Sequence, residues 1–147
     1  GNLKNWWTKE DRSRFTKLAT IIKKQYDEYE VADGVRVNGQ LTLGENIADH
    51  GGVAIALDAY QLRLKKTGRK NIDGFTPEQR FFHGFALFEQ ENASKEHEKM
   101  QVLTDPHSPG IFRINGPLSN LDAFYESYTV SPKDKMYRKP SIRTTVW

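Results

Sequence analysis

Apolar residues fall at helical spacing over most of this chain. Across 8–30, Phe15, Leu18, Ala19, Ile22, Tyr26 and Tyr29 recur every three or four positions and form one apolar face. Thr8 fits the N-cap, with Glu10 and Asp11 in the first turn, where the helix end is partly positive. Trp6 and Trp7 stand where they can pack back on that turn. The pattern changes over 31–43: "VRVNGQLTL" alternates apolar and polar residues around Asn38-Gly39 and predicts a short hairpin or an extended loop. A second helix is predicted from about 42–44 to about 66, with Gly68 as its stop. Thr76, Pro77 and Gln79 predict a third, opened by a capping box, with Phe81, Phe82, Phe85 and Phe88 as its aromatic face. A break over 92–94 leads into a further helix ending near 103. "TDPHSPGIFRINGP", with three Pro and two Gly, predicts a loop. Ser119 or Asn120 then caps a last short helix carrying Leu121, Phe124, Tyr125 and Tyr128. The sum is one mainly α domain over 1–147.

Composition narrows the choices. With 37% hydrophobic and 28% charged residues the chain is a globular folder rather than a disordered one. No apolar run approaches the ~18–20 residues of a membrane span, so no membrane contact is expected from this segment. The net charge of +3 is scattered among acids, and no basic stripe suggests a nucleic-acid partner. The basic stretch "KDKMYRKPSIR" reads as a solvated tail. The absence of cysteine excludes disulfides and thiolate metal ligands. "GNLKNWW" opens without a leader pattern and reads as the interior of a longer chain.

The candidate chemistry lies in "LTLGENIADHGG", residues 41–52. One reading is structural: Thr42 and Glu45 form a capping box, and Asp49 is a solvated helical acid. Composition alone favours it. The other reading starts from Gly51 and Gly52, each costing a helix roughly 1 kcal/mol relative to Ala, which suggests that another backbone packs close by. Glu45 and Asp49, at i and i+4, then share the face toward that element. One carboxylate could bind a metal while the other holds a ligand's second nitrogen. A catalytic zinc takes three protein ligands. The four His, at 50, 83, 97 and 107, contain no His-Glu-x-x-His, so further ligands must come from elsewhere.

"GENIADHGG" resembles the Glu-x-x-x-Asp motif of the neprilysin-like zinc metallopeptidases, the M13 family. "GNLKNWWT", "VNGQLTLGENIAD", "TPEQRFFHGFA", "QVLTDPHSPGIFRINGPLSN" and the final "VW" resemble further segments in family order, over the whole chain. The resemblance is to the C-terminal part of the catalytic domain, a helical subdomain of a thermolysin-like (gluzincin) peptidase, in a bacterial, PepO-type member. It implies that an upstream helix carries His-Glu-x-x-His, with two zinc ligands and the general base. Glu45 is then the third Zn2+ ligand, and Asp49 orients a zinc-bound His. His107 stabilises the oxyanion, Arg113 grips a substrate carbonyl, and Phe88 lines the pocket for the residue after the scissile bond. Without the resemblance, His107 could be an exposed loop His and Arg113 a structural Arg pairing a carboxylate. His50, His83 and His97 match no catalytic position and read as surface or packing residues.

Two positions depart from the family. Thr144 stands where vertebrate members carry a cysteine, three residues before the final Trp. Glu89 stands where an apolar residue, often Trp, is usual, which undercuts the usual preference for large hydrophobic side chains. Implied partners are peptide substrates and the N-terminal portion of the same protein, with self-association of the isolated segment a further expectation. A periplasmic or cell-surface location is favoured over a cytoplasmic one. With one zinc ligand of three and no general base, this segment alone is expected to be inactive and to bind no zinc tightly. Two rivals remain: a non-catalytic peptide-binding protein on the same scaffold, and an unrelated helical interaction module. The second requires Glu45, Asp49, His107 and Arg113 to lie far apart.

Overall fold

The computed structural model describes residues 4–146, so the closing Trp147 of the "VW" match lies outside the described residues. Six α-helices and one small hairpin make up the regular structure there: α1 (Lys9–Asp27), β1 (Glu30–Ala32), β2 (Val35–Arg36), α2 (Leu43–Thr67), α3 (Pro77–Phe88), α4 (Lys95–Thr104), α5 (Gly110–Leu118) and α6 (Asp122–Tyr128). A 3-10 turn at Pro140–Ile142 follows. No helix among the described residues is long and apolar enough to cross a membrane.

Helix α2 organises the rest. Its 25 residues extend about 37 Å at 1.5 Å per residue, long enough to serve two cores. Its first half places Ile47 in a core with Ala19, Ile22 and Tyr26 of α1, Val37 and Val102 of α4. Its middle places Val53 and Leu57 in a second core with Phe82, Leu118 and Leu121. Full burial of a side chain such as Phe82 contributes about 1.5–3 kcal/mol. Between the cores, α5 lies on α2.

Local signals account for several boundaries. Thr8 caps α1 by accepting a hydrogen bond from the Asp11 amide at 3.0 Å, and Trp7 packs edge-on against Phe15 with ring centroids 5.1 Å apart. Trp6 stays exposed. The Thr76/Gln79 capping box is complete, and Ser94 caps α4. Gly68, at φ 85°, ends α2.

Other expectations need correction. Helix α1 stops at Asp27, and the hairpin turns at Asp33-Gly34, not at Asn38-Gly39. The Asn38 side chain instead accepts from the amides of Gln40 and Leu41, shaping the approach to α2. The stretch expected to be a loop contains α5. Its Pro and Gly residues sit mainly at the helix ends: Pro109 at the N-cap, Gly110 first, Gly116 and Pro117 in the last turn. Packing of Leu118 and Gly116 outweighs the hydrogen bond that Pro117 cannot make. Leu121, not Ser119 or Asn120, precedes α6 at the N-cap, because the Ser119 hydroxyl and the Asn120 amide both donate to the Gly116 carbonyl. The basic C-terminal stretch is solvated at Lys133, Lys135 and Lys139, as expected, but docked at Arg143. The Arg143 guanidinium lies 3.5 Å from the Tyr125 ring centroid and pairs with Asp122 at 2.7 Å. Buried Thr144 donates its amide to Asn120 Oδ1 at 3.0 Å, so hydrogen bonding and burial anchor the position where a cysteine was the family pattern.

Candidate active site

The structural reading of "LTLGENIADHGG" fails at its first residue. Thr42 makes no capping bond at the start of α2. Its hydroxyl donates to the Asn38 carbonyl at 3.1 Å and accepts from the Asn46 amide at 2.8 Å. Glu45 is thereby left out of any capping box and faces His107, with Oε2 3.3 Å from Nε2. Gly51 is buried, but a Cβ on Gly52 would meet nothing within 4 Å, so no close neighbour requires glycine at 52.

Two segments far apart in sequence come together here, one carrying Glu45 and Asp49 and the other His107 and Arg113. His107 sits in the segment before α5, its Nδ1 2.9 Å from Asp105 Oδ1 and its Nε2 toward Glu45. The backbone amide of His107 also donates to Asp105 Oδ1, at 2.8 Å. That amide bond, followed by the His107 side chain, holds the Asp105 carboxyl below its ordinary range. Both ring nitrogens of His107 thus face carboxylate oxygens, and only the doubly protonated ring can donate to both at once. One turn along α2, Asp49 takes both of its oxygens to Arg113: Nε donates to Oδ2 and Nη2 to Oδ1, each at 2.9 Å. This is the bidentate fork that suits guanidinium and carboxylate. The third corner of Arg113, Nη1, lies 3.0 Å from Glu89 Oε2.

Burial makes this cluster unusual. The Asp49 side chain is 12% exposed and that of Glu89 8%, with Arg113 at 27%. Hydrogen bonding to Asp49 raises the Arg113 pKa further above its already high ordinary value, so the guanidinium is permanently charged. Glu89 is pushed up from the usual carboxylate range, first by burial and then by Asp49 and Glu91, against the pull of Arg113. Glu89 reaches the cluster because α5 closes on the end of α3. A Cβ on Gly110 would come 2.5 Å from the Glu89 carbonyl, and the Gly110 amide donates to Glu91 at 2.5 Å.

Expected residues are therefore distributed unevenly. Glu45, Asp49, His107 and Arg113 share one cluster, which removes the unrelated module with scattered residues. Phe88 leaves the aromatic face of α3 and is 83% exposed at the helix end, next to Glu89. His50 is a packing residue, buried behind Asp49, while His83 and His97 are exposed. Sequence reading missed Asp105 as the partner of His107 and Glu89 as the second anion on Arg113. The Asp-Pro-His spacing could have pointed to the first. Nothing local points to the second, because Glu89 and Arg113 meet only when α3 and α5 pack. A recess of about 500 Å³ lined by Gln61, Lys65, Arg69 and Glu78 shares no residue with this cluster.

The donor set fits part of a metal site. Among the described residues no group of three or more His, Cys, Asp or Glu is placed to hold a metal ion. Half-exposed Glu45 is free to offer a carboxylate oxygen, whereas both oxygens of Asp49 are engaged by Arg113. A zinc ion that used Glu45 would need its other donors from outside the described residues.

A sequence model of peptidase family M13 matches residues 1–144. Neprilysin-11 of Caenorhabditis elegans is 42% identical over 133 residues, which cover 87% of this chain and 16% of that protein. Endothelin-converting enzyme 1 of Homo sapiens is 39% identical over 150 aligned residues, covering 100% of this chain and 19% of that protein. Among solved structures, Mycobacterium tuberculosis zinc metalloprotease Zmp1 in its open state matches with a TM-score of 0.92 at 38% identity, over 100% of this chain and 24% of that one. The chain thus spans about a fifth of the length of the relatives it matches.

Proposed function

The chain belongs to peptidase family M13, and on that premise we propose that it forms one wall of the catalytic site of a zinc metalloendopeptidase acting on peptides. The observation that carries the reading is the convergence of Glu45, Asp49, His107 and Arg113, drawn from two segments about 60 residues apart, in one half-buried cluster. Glu45 is the carboxylate ligand for Zn2+. The remaining ligands and the general base come from a part of the protein outside this chain. Zinc, when bound, polarises the scissile carbonyl and lowers the pKa of its water toward ~7.

The chain's own residues bind and orient. His107, held through Nδ1 by Asp105, turns Nε2 toward the side of Glu45, where it donates to the developing oxyanion. Loss of one such donor costs roughly 2.7–4 kcal/mol in comparable sites. Arg113, fixed by Asp49 through Nε and Nη2 and by Glu89 at Nη1, offers the second N–H of each terminal nitrogen to a substrate carbonyl. Phe88 offers apolar surface beside the cleft to the residue after the scissile bond. Glu89, buried at that same edge, disfavours the large hydrophobic side chains that an apolar wall would accept.

The test is cleavage of a quenched fluorescent peptide by the complete catalytic domain and by its Glu45→Val variant, with and without a chelator. Chelator-sensitive cleavage lost in the folded variant supports the reading. Equal cleavage in both overturns it. Absence of cleavage in both, with peptide binding retained, identifies a non-catalytic peptide-binding scaffold.

A further inference from the structure

Tyr26 is a buried phenol that the proposed chemistry does not use. It lies on α1, fully enclosed, and its hydroxyl contacts two other helices. It donates to the Phe112 carbonyl of α5 at 3.3 Å and sits 3.4 Å from Nε2 of His50 on α2. These are the sequence neighbours of the paired residues Arg113 and Asp49: Phe112 precedes Arg113, and His50 follows Asp49. One hydroxyl thus spans the α2–α5 junction from behind, while the Asp49–Arg113 fork spans it from the front.

The site around the phenol is built for it. A Cβ on Gly116 would come 2.2 Å from Tyr26 Oη and 2.6 Å from Cζ, so only glycine admits the ring at this point of α5. Residues on α1 and just beyond its end hold the same stretch of α5. Tyr29 stacks on Phe112 with centroids 4.6 Å apart and planes 4° from parallel, and Gln25 donates to the Gly116 carbonyl at 3.0 Å. The Glu45–His107 pair has a similar backing, because Ser108 donates to Asn46 Oδ1 at 2.8 Å, each residue one position beyond the cleft pair. Burial raises the Tyr26 pKa well above its ordinary value, so the group remains an O–H donor wherever the protein is folded.

We propose that Tyr26 is the positioning residue of the Asp49–Arg113 pair: its hydroxyl, bridging His50 and the Phe112 carbonyl, sets the separation at which Arg113 docks on Asp49. The bridge is a feature of this chain by itself. Its consequence for peptide binding rests on the function proposed above.

The experiment reads Arg113 directly and needs no catalysis. Heteronuclear NMR of the isotopically labelled chain follows solvent exchange of the Arg113 Nε–H, which is protected while it donates to Asp49. Tyr26→Phe is expected to speed that exchange roughly tenfold, the change that follows loss of one hydrogen bond at the upper end of its ordinary net strength. Tyr29→Phe is the control. It also removes a largely buried hydroxyl, from the segment just after α1, but one bonded to Gln25, and should leave Arg113 unchanged. If Tyr26→Phe does not fold, His50→Leu takes its place, since it removes the α2 end of the bridge and keeps the phenol. Unchanged exchange in the folded variant overturns the proposal. So does an equal rise in Tyr29→Phe, which would report general loosening of α1. Either failure leaves the Glu45 cleavage test untouched.

Discussion

The α2–α5 junction is fastened on two sides by different chemistry. On the cluster side, residues 45 and 49 of α2 present carboxylates to His107 and Arg113, and Glu89 adds a second anion to the same guanidinium. On the inner side, residues 46 and 50 meet Ser108 and, through Tyr26, Phe112 by hydrogen bonds between uncharged groups. The inner side is the better structural solution, since neutral bonded groups are less costly to bury than ions. The cluster side gathers Glu45, Asp49, Glu89 and Asp105 around one guanidinium and one imidazole. An arrangement with surplus anions and a carboxylate shifted by burial is poor design for stability alone, and it fits a surface that receives a ligand.

Removing Arg113 strains this contrast most. Arg113→Ala leaves Asp49 and Glu89 buried together without a counter-charge. Breaking such a pair from one side costs about 3–4 kcal/mol, toward the low end for a buried pair because Arg113 is partly exposed. Chemical denaturation would show it as a lower midpoint. Adding Glu89→Gln should recover part of the loss, since one of the stranded charges is then gone. A loss below about 1 kcal/mol would mean that water reaches both carboxylates and that the cluster side behaves as ordinary surface.

The inner side should respond to pH in its own window. Burial, with a contribution from Arg138, lowers the His50 pKa from 6.5 to about 4. The folded protein therefore holds His50 neutral while the unfolded chain takes up its proton below 6.5. Stability from this group is complete above 6.5, falls as pH drops, and is gone once pH passes below about 4. At 1.36 kcal/mol per unit the full effect is about 3 kcal/mol. Unfolding measured across pH 7 to 4 should show this slope, and His50→Gln should flatten it. An unchanged slope in His50→Gln would place the acid sensitivity on the cluster side.

The two sides also differ in how readable they are. Glu45, Asp49, His107 and Arg113 stand out in the chain because each is a chemically active residue inside a recognisable segment. Their companions do not. Tyr26 looks like one more apolar position on α1, which it also is. Asn46 and His50 are unremarkable polar residues on α2 until Ser108 and Tyr26 arrive from elsewhere in the sequence. The helical pattern made α1 to α4 legible, with end signals at Thr8, Gly68 and Thr76 and a break over 92–94. It failed at α5, because Pro and Gly there serve packing against Glu89 and Tyr26, and local propensity reads them as breakers.

Gly116 offers a smaller perturbation from the inner side. Gly116→Ala drives a methyl group into the Tyr26 phenol and should cost about 2 kcal/mol through overpacking. Combining it with Tyr26→Phe removes the atom nearest the clash, so the double variant should lose less than the sum of the two. Strict additivity would show that the helix absorbs the methyl group by moving away from α1, and the inner side would then be the softer of the two.

Phe88→Ala should have the smallest effect on stability and so separates the sides most cleanly. At 83% exposure the ring buries little apolar area, and its removal should change unfolding free energy by less than about 0.5 kcal/mol. Phe82, six residues earlier on the same helix and buried in the second core, should cost about 3–5 kcal/mol on truncation to Ala. An exposed aromatic side chain at the edge of a charged cluster therefore contributes almost nothing to the fold. Under the proposed function it contributes to peptide contact instead, and Phe88→Ala should raise KM for peptides with a large residue after the scissile bond while leaving the unfolding midpoint unchanged. A lowered midpoint would mean that Phe88 packs against the protein in solution. An unchanged KM would confine the peptide-contacting residues to the charged cluster itself.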